Sequence, residues 1–284
     1  MSLQPPMPEA HPLAGAPLGK AVAYPGAYDA GLLYAIDRAP LREALGFGAT
    51  LPFLGADVWN AYELSWRNPR GKPQVALASL VFLADSPRLI ESKSLKLYLN
   101  SLADSHFDGM EAVRERIVAD LTAAAGSRVD VQLLSPDALE GAPLTELPGL
   151  LLDRLDVDCS LGFPDARALS SAAGAEPVEE TLATRLFRSN CPVTGQPDWA
   201  SVQISYLGAP VDQAGLLRYL VGYRSHDAFH EQCVEQIWCD IMRQCRPQRL
   251  TVQARYTRRG GLDINPWRSN VGGMGVGNLR HPRQ

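Results

Sequence analysis

A hydrophobic pattern that changes period in the same order twice constrains this chain more than any other feature. The apolar run Gln74 to Leu83 (QVALASLVFL) has the length of a strand and is followed by the breaker pair Ser86-Pro87. Leu95, Tyr98, Leu99 and Leu102 then recur at i, i+3, i+4 and i+7, which is one face of a helix. After Asp108-Gly109, a second helix places Met110, Val113, Ile117 and Leu121 on one stripe, and Val129 to Leu134 reads as a closing strand. The second half repeats the order. Val202, Ile204 and Tyr206 alternate with Ser201, Gln203 and Ser205, the period of a half-buried strand. A helix follows around Ala214 to Val221, and a longer one from about Ala228 to Gln244 carries Val234, Ile237 and Ile241 on its apolar stripe. Arg249 to Tyr256 alternates again. Each half is therefore expected to run strand, strand, helix, helix, strand, strand. Two copies of one α+β unit is the economical inference.

Punctuation residues set the expected boundaries. Residues 1–31 read as a flexible N-terminal extension, because Pro and Gly recur too often for packed structure. Residues 32–135 form the first unit, and the Pro-, Gly- and Ala-rich residues 136–178 join it to a second unit over 179–270. Residues 271–284 read as a flexible tail. Its run Gly272-Gly273-Met274-Gly275-Val276-Gly277 looks like a dinucleotide loop, but too little chain follows for a βαβ unit.

Composition excludes several classes of function. Of 284 residues, 46% are apolar and 20% charged, with a formal net charge of −4 and both signs mixed along the chain. No Lys/Arg run suggests a nucleic-acid footprint, so a small molecule is the expected partner. Five cysteines with no CxxC pair argue against a disulfide framework and for a reducing compartment. No basic start precedes an apolar run at the N-terminus, and no stretch of membrane-spanning length exists. A cytoplasmic location is expected.

Three segments carry residues suited to chemistry. In SNCPVTGQPDWA, Cys191 and Asp198 lie seven positions apart, but Pro192, Gly195 and Pro197 exclude a helix and predict a tight loop leading into a strand. Such a loop can fold a thiol and a carboxyl group into one small volume, as a nucleophile beside a proton donor. The plainer reading is a core cysteine beside a turn-capping aspartate. In ESKSLKLY, Glu91 and Ser92 open a helix whose free N–H groups favour anions, with Lys93 assisting; ordinary capping by Ser92 is the plainer reading. In HDAFHE, His226 and His230 could ligate a metal beside Glu231. Glu231 could instead accept two hydrogen bonds from a guanine-like edge, with Phe229 stacked on the ring, and plain helix capping is again the alternative.

Taken together, ESKSLKLYLNS (Glu91 to Ser101), SNCPVTGQPDWA (Ser189 to Ala200), FHE (Phe229 to Glu231) and YTRRGGLDINPWRSN (Tyr256 to Asn270) resemble the NADPH-dependent 7-cyano-7-deazaguanine reductases in their long, two-module form. The resemblance covers roughly Leu32 to Asn270. It implies a tunnelling fold: two tandem modules of antiparallel sheet with helices packed on one face, associating as a homodimer. It implies reduction of a nitrile to an amine with two NADPH, through a covalent cysteine thioimidate, on the route to the tRNA base queuosine. Matched position by position, Cys191 is the nucleophile and Asp198 the proton donor. Ile90, Glu91, Ser92, Phe229, His230 and Glu231 fall at the substrate, and Ser92, Lys93, Arg259 and Gly260 at NADPH. Arg258, beside them, also suits a phosphate. No metal is implied. The rival within the same fold is a zinc-dependent cyclohydrolase acting on a purine or pterin, which needs Cys and His ligands at close spacing. No histidine stands near Cys191 in the sequence.

Overall fold

In a computed structural model describing Pro17 and residues 26–43, 45–46, 50–159, 162–272 and 275–284, the alternating segments pair into one eight-stranded sheet. The first half supplies β2 (Leu54–Arg67), β3 (Pro73–Leu83) and β5 (Val129–Leu134). The second supplies β7 (Val178–Asn190), β8 (Pro197–Gly208), β9 (Arg249–Tyr256) and β10 (Leu262–Ser269). The sheet order is β5-β3-β2-β10-β9-β8-β7, closed at the far edge by the two-residue strand β6 (Leu150–Leu151). All pairings are antiparallel except β6 with β7. β1 (Ala35–Asp37) and β4 (Arg88–Ile90) form a separate antiparallel pair.

Among the described residues, the expected final strand of the first half is not formed. After β5 the chain makes a short 3-10 turn at Pro136–Leu139, and β2 instead takes β10 as its neighbour, from Leu54 opposite Ser269 to Ala61 opposite Leu262. An edge strand with unpaired backbone needs a partner, and the Pro- and Gly-rich residues after β5 contain no run long enough to supply it. The two halves thus share one continuous sheet.

Helices α2 (Ser92–Ser101) and α3 (Met110–Ala125) cover the first half, and α4 (Gln213–Gly222) and α5 (His230–Cys245) the second, all on the same side. The predicted stripes do the packing. Leu95, Tyr98, Leu99 and Leu102 meet Val113, Ile117 and Leu121 over Trp59, Leu80 and Phe82, while Val234, Ile237 and Ile241 lie over Val202, Ile204 and Val252. Burial of these side chains supplies most of the favourable folding energy, each contributing about 1.5–3 kcal/mol. Short α1 (Arg38–Glu43) bridges the halves through charge. Arg38 and Arg268 hold Asp57 at 2.5 and 2.8 Å, and Arg42 and Arg268 hold Glu235 at 2.6 and 2.8 Å. Arg268 is fully buried between both carboxylates, whose negative charge favours its protonated form still further.

The expected extension, joining region and tail each contribute residues to the packed structure. Within the expected extension, Tyr28 donates to Asp120 at 2.8 Å and stacks edge-on against Tyr98; residues 1–16 and 18–25 lie outside the described residues. In the joining region, Leu152 and Leu169 are buried in the core of the second half. The expected flexible tail makes side-chain hydrogen bonds at several of its described residues; Gly273 and Met274 lie outside them. Asn278 bonds Asn60 and Ser79, His281 bonds Glu146, and Gln284 donates to Asn265 and to the Tyr256 carbonyl. The cause is the other face of the sheet. Asn60, Ser79, Arg255 and Asn265 bond to the tail, which supplies partners that the buried Arg255 and Asn265 require.

Candidate active site

The loop between β7 and β8 folds back as its Pro and Gly content predicted. Cys191 N–H donates to the Gln196 carbonyl at 2.8 Å and Gly195 N–H to the Cys191 carbonyl at 2.9 Å, closing a tight turn. Gly195 sits at φ +65°, where a side chain would strain the backbone. The turn buries Cys191 and delivers it to the wall of a cavity of about 30 Å³ between the two halves. Asp198, facing Ser189 across the β7–β8 ladder, reaches the same cavity. The sequence-level expectation of a thiol and a carboxyl group in one small volume matches this geometry.

Asp198 is almost fully enclosed and held at both oxygens. His230 Nε2 lies 3.3 Å from one, and Arg259 Nε lies 3.0 Å from the other. His230 opens α5, where Phe229 N–H is capped by the Gln232 side chain at 3.1 Å. Phe229 packs with Ile36 and Leu89, and Glu231 turns inward, fully buried, at the cavity wall. Burial, and next the nearby Asp57 charge, push the Glu231 carboxyl group above its ordinary pKa.

The first half contributes the opposite wall: Trp59, Leu89, Ile90 and Ser92. Glu91 departs from expectation. Its carboxylate accepts from Lys93 N–H at 2.6 Å and Ser94 N–H at 2.8 Å, so Glu91, not Ser92, is the cap of α2, and it does not line the cavity. Two free N–H groups and a carboxylate two or three residues upstream satisfy each other locally, which holds the backbone of Ile90 and Ser92 in place. Trp59 and Ile264 were invisible as site residues in the sequence, because their periodicity marks them only as core.

A second cavity of about 190 Å³ adjoins the first, sharing Ser92, His230, Arg259 and Ile264 with it. Lys93, Lys96, Gln196, Thr257, Gly260 and the acidic Asp263 complete its polar lining. Arg259 lines both cavities and also donates to Gln196 at 3.2 Å. Gly260 lies at φ +57°, and a methyl group there would come within 3.0 Å of Lys96 Nζ. Two lysines and an arginine around a glycine suit a phosphate-bearing dinucleotide, since the backbone can approach and the cations can match its charge. Lys96 was missed by the motif reading; its place one turn after Ser92 on α2 was the available signal. Arg258 is not brought to this cavity. Its guanidinium stacks 4.7 Å over the Tyr62 ring, because neighbouring residues on one strand extension point to opposite sides.

Burial pushes the thiols of Cys233 and Cys239 up to about 12 and that of Cys245 to about 11, and Cys159 is exposed away from both cavities. Cys191 is the thiol at the cavity wall. His226 stacks edge-on against Tyr223, and among the described residues no group of three or more His, Cys, Asp or Glu side chains is arranged to hold a metal ion. No helix among the described residues is long and apolar enough to cross a membrane.

Comparison with known proteins agrees with the motif reading. Residues 24–133 match the family described as nitrile reductase, 7-cyano-7-deazaguanine-reductase N-term, and residues 197–272 match the family described as QueF-like protein. The chain is 57% identical over 268 residues to the NADPH-dependent 7-cyano-7-deazaguanine reductase of Burkholderia vietnamiensis, covering 94% of this chain and 98% of that protein. It is 55% identical over 272 residues to the protein of the same name from Bordetella bronchiseptica, covering 96% and 99%. Among solved structures, the apo archaeosine synthase QueF-Like matches 36% of this chain and 99% of its own at 16% identity and a TM-score of 0.30, too slight a likeness to bear on function.

Proposed function

The chain belongs to the family of NADPH-dependent 7-cyano-7-deazaguanine reductases, and from that premise we propose that it reduces the nitrile of 7-cyano-7-deazaguanine to a primary amine at the cavity between its two halves. One observation carries the reading: Cys191, Asp198, His230 and Glu231 converge on a cavity that adjoins a second one lined by Lys93, Lys96 and Arg259.

Glu231 accepts hydrogen bonds from the N–H edge of the base, and Phe229 covers its ring face. Glu91 acts from behind the wall, fixing Ile90 and Ser92 against the substrate through its cap on α2. The first cavity is small, and the Phe229–Glu231 segment on its wall is placed to open for the base and close over it. Ser92, Lys93, Lys96, Arg259 and Gly260 hold the cofactor. Bound there, NADPH supplies hydride, and a nitrile needs two hydrides to become a primary amine.

The Cys191 thiolate adds to the cyano carbon, forming a C–S bond, and Asp198 gives its proton to the nitrogen, leaving a neutral thioimidate on the enzyme. Once that carbon is reduced, the C–S bond breaks, Cys191 leaves as thiolate, and an imine remains. Trp59, Phe229 and His230 keep water from the imine until it too is reduced. The product serves queuosine synthesis on the free base, in the cytoplasm, and the net negative charge without a basic run fits an enzyme that never grips tRNA. The outer edge of β5 and the very short β6 leave the sheet open at both ends, which favours association as a homodimer.

The test follows nicotinamide absorbance after adding the nitrile to enzyme and NADPH. Two NADPH should be consumed per amine formed, and Cys191→Ala should lose both turnover and the near-ultraviolet absorbance of the adduct. Reduction by the alanine variant would overturn the covalent route, and stoichiometric zinc in the purified protein would favour the cyclohydrolase instead.

A further inference from the structure

His230 faces Asp198, yet nothing in its own helix sets the angle of its ring. It stands at the first position of α5, beyond a cap made by its neighbours, so its imidazole takes its orientation from what it touches. One contact is Asp198, 3.3 Å from Nε2. The other is the ring of Tyr256, which lies across the imidazole face with centroids 3.8 Å apart and planes inclined by 31°.

We propose that Tyr256 is a positioning residue for His230: its ring is the platform on which the imidazole lies, and that platform aims Nε2 at the Asp198 carboxyl group. The inference rests on reading Asp198 as the proton donor to the nitrile, with His230 holding its carboxyl group. Tyr256 is suited to be a platform because it is itself fixed from several sides. It pairs with Ala200 across β8 and β9, only two residues from Asp198. Phe187 stands edge-on against it at 6.2 Å and 89°. Its carbonyl accepts from the side chain of the C-terminal residue, Gln284, at 2.9 Å. The ring does this work, not the hydroxyl group. That oxygen is buried beside the Cys233 thiol and the Ser189 hydroxyl. An aromatic ring offers a broad flat face that an aliphatic side chain of equal volume lacks. A tilt of the imidazole would draw Nε2 away from Asp198, and small misplacements at a reacting centre are expensive in rate.

Two substitutions separate ring from hydroxyl. Tyr256→Phe keeps the platform and removes only the hydroxyl group, so kcat should stay within about twofold of wild type. Tyr256→Met keeps an apolar side chain but loses the flat face. It should lower kcat about tenfold or more and slow appearance of the adduct absorbance to match, while KM for NADPH stays within about twofold. In a His230→Ala background the methionine substitution should cost nothing further, because the residue it positions is gone. Nuclear magnetic resonance of the wild-type protein supplies a readout that needs no variant: the His230 ring protons should be displaced upfield by the tyrosine ring, and equally so in Tyr256→Phe. Wild-type kcat in Tyr256→Met, a full additional loss in the His230→Ala background, or His230 protons at their ordinary positions would each overturn the proposal. Should Tyr256→Met fail to fold, the wild-type and Tyr256→Phe spectra decide it. A wild-type protein that never reduces the nitrile would sink the functional reading instead, while the ring-proton positions would still report on the platform.

Discussion

The two halves run through the same elements, yet their equivalent loops have opposite fates. In the first half the β2–β3 connection is an exposed hairpin turn in which Asn68 Oδ1 accepts from Arg70 N–H and Lys72 N–H. In the second half the β7–β8 connection is drawn inward, and its first residue is the buried Cys191. Each long first strand carries an irregularity at a similar place, between Ala61 and Leu64 in β2 and between Thr184 and Phe187 in β7. Such matched bulges indicate one architecture used twice. The helix starts divide in the reverse manner. The opening of α2 lines both cavities, whereas the opening of α4 is only capped, by Asp212 accepting from Ala214 N–H. Each half has kept site residues where the other has kept plain structure, so the cavity exists only where the halves meet.

The sharpest way to break this contrast is to treat the two loops alike. Asp198→Asn should lower turnover about 10²- to 10⁴-fold, the range for loss of a positioned proton donor, while Asn68→Ala in the matching turn should leave turnover unchanged. Comparable losses in both would mean that the halves share the chemistry. The seam between them can be tested by Arg268→Met, which leaves Asp57 and Glu235 short of a buried partner. Denaturant unfolding should show a loss of about 3–5 kcal/mol, with both halves unfolding together. Two separate transitions would show that the shared sheet does not unite them.

Substitutions at the cavity walls should have smaller effects. Glu231→Gln should raise KM for the nitrile about tenfold or more, since a carboxylate accepts such hydrogen bonds more strongly than an amide. Its effect on stability has a definite sign. Burial raises the Glu231 pKa in the folded protein, so the stability associated with its protonated form is fully present below the ordinary carboxylate range and is lost as pH rises through the raised value. Glutamine never ionises. The variant should therefore melt higher than wild type at neutral pH, with the difference vanishing at about pH 4 and below. An unchanged difference across that range would remove Glu231 as its source. Lys96→Met should raise KM for NADPH about tenfold with kcat unchanged and little change in stability, because its 3.7 Å pair with Glu63 is largely solvated. Equal changes for Lys96 and Arg258 would mean that the first-half helix has no special share in the cofactor site.

Periodicity alone determined the α+β class, the helical stripes on α2, α3 and α5, and the strands from Val129 to Leu134 and Arg249 to Tyr256, because a 3.6- or 2-residue repeat is a local property of the chain. The Pro and Gly residues around Cys191 likewise dictated a turn that could bring a thiol toward Asp198, and the motifs were specific enough to indicate the family. Tertiary structure decided the rest. That β10 would complete the first half by pairing with β2, that Glu231 would face the cavity, that Arg258 would turn to Tyr62, and that the tail would hydrogen-bond to the polar sheet face all depend on contacts between residues far apart in sequence. Unpaired backbone and buried polar atoms must find partners wherever the folded chain offers them, and no local pattern records where that will be.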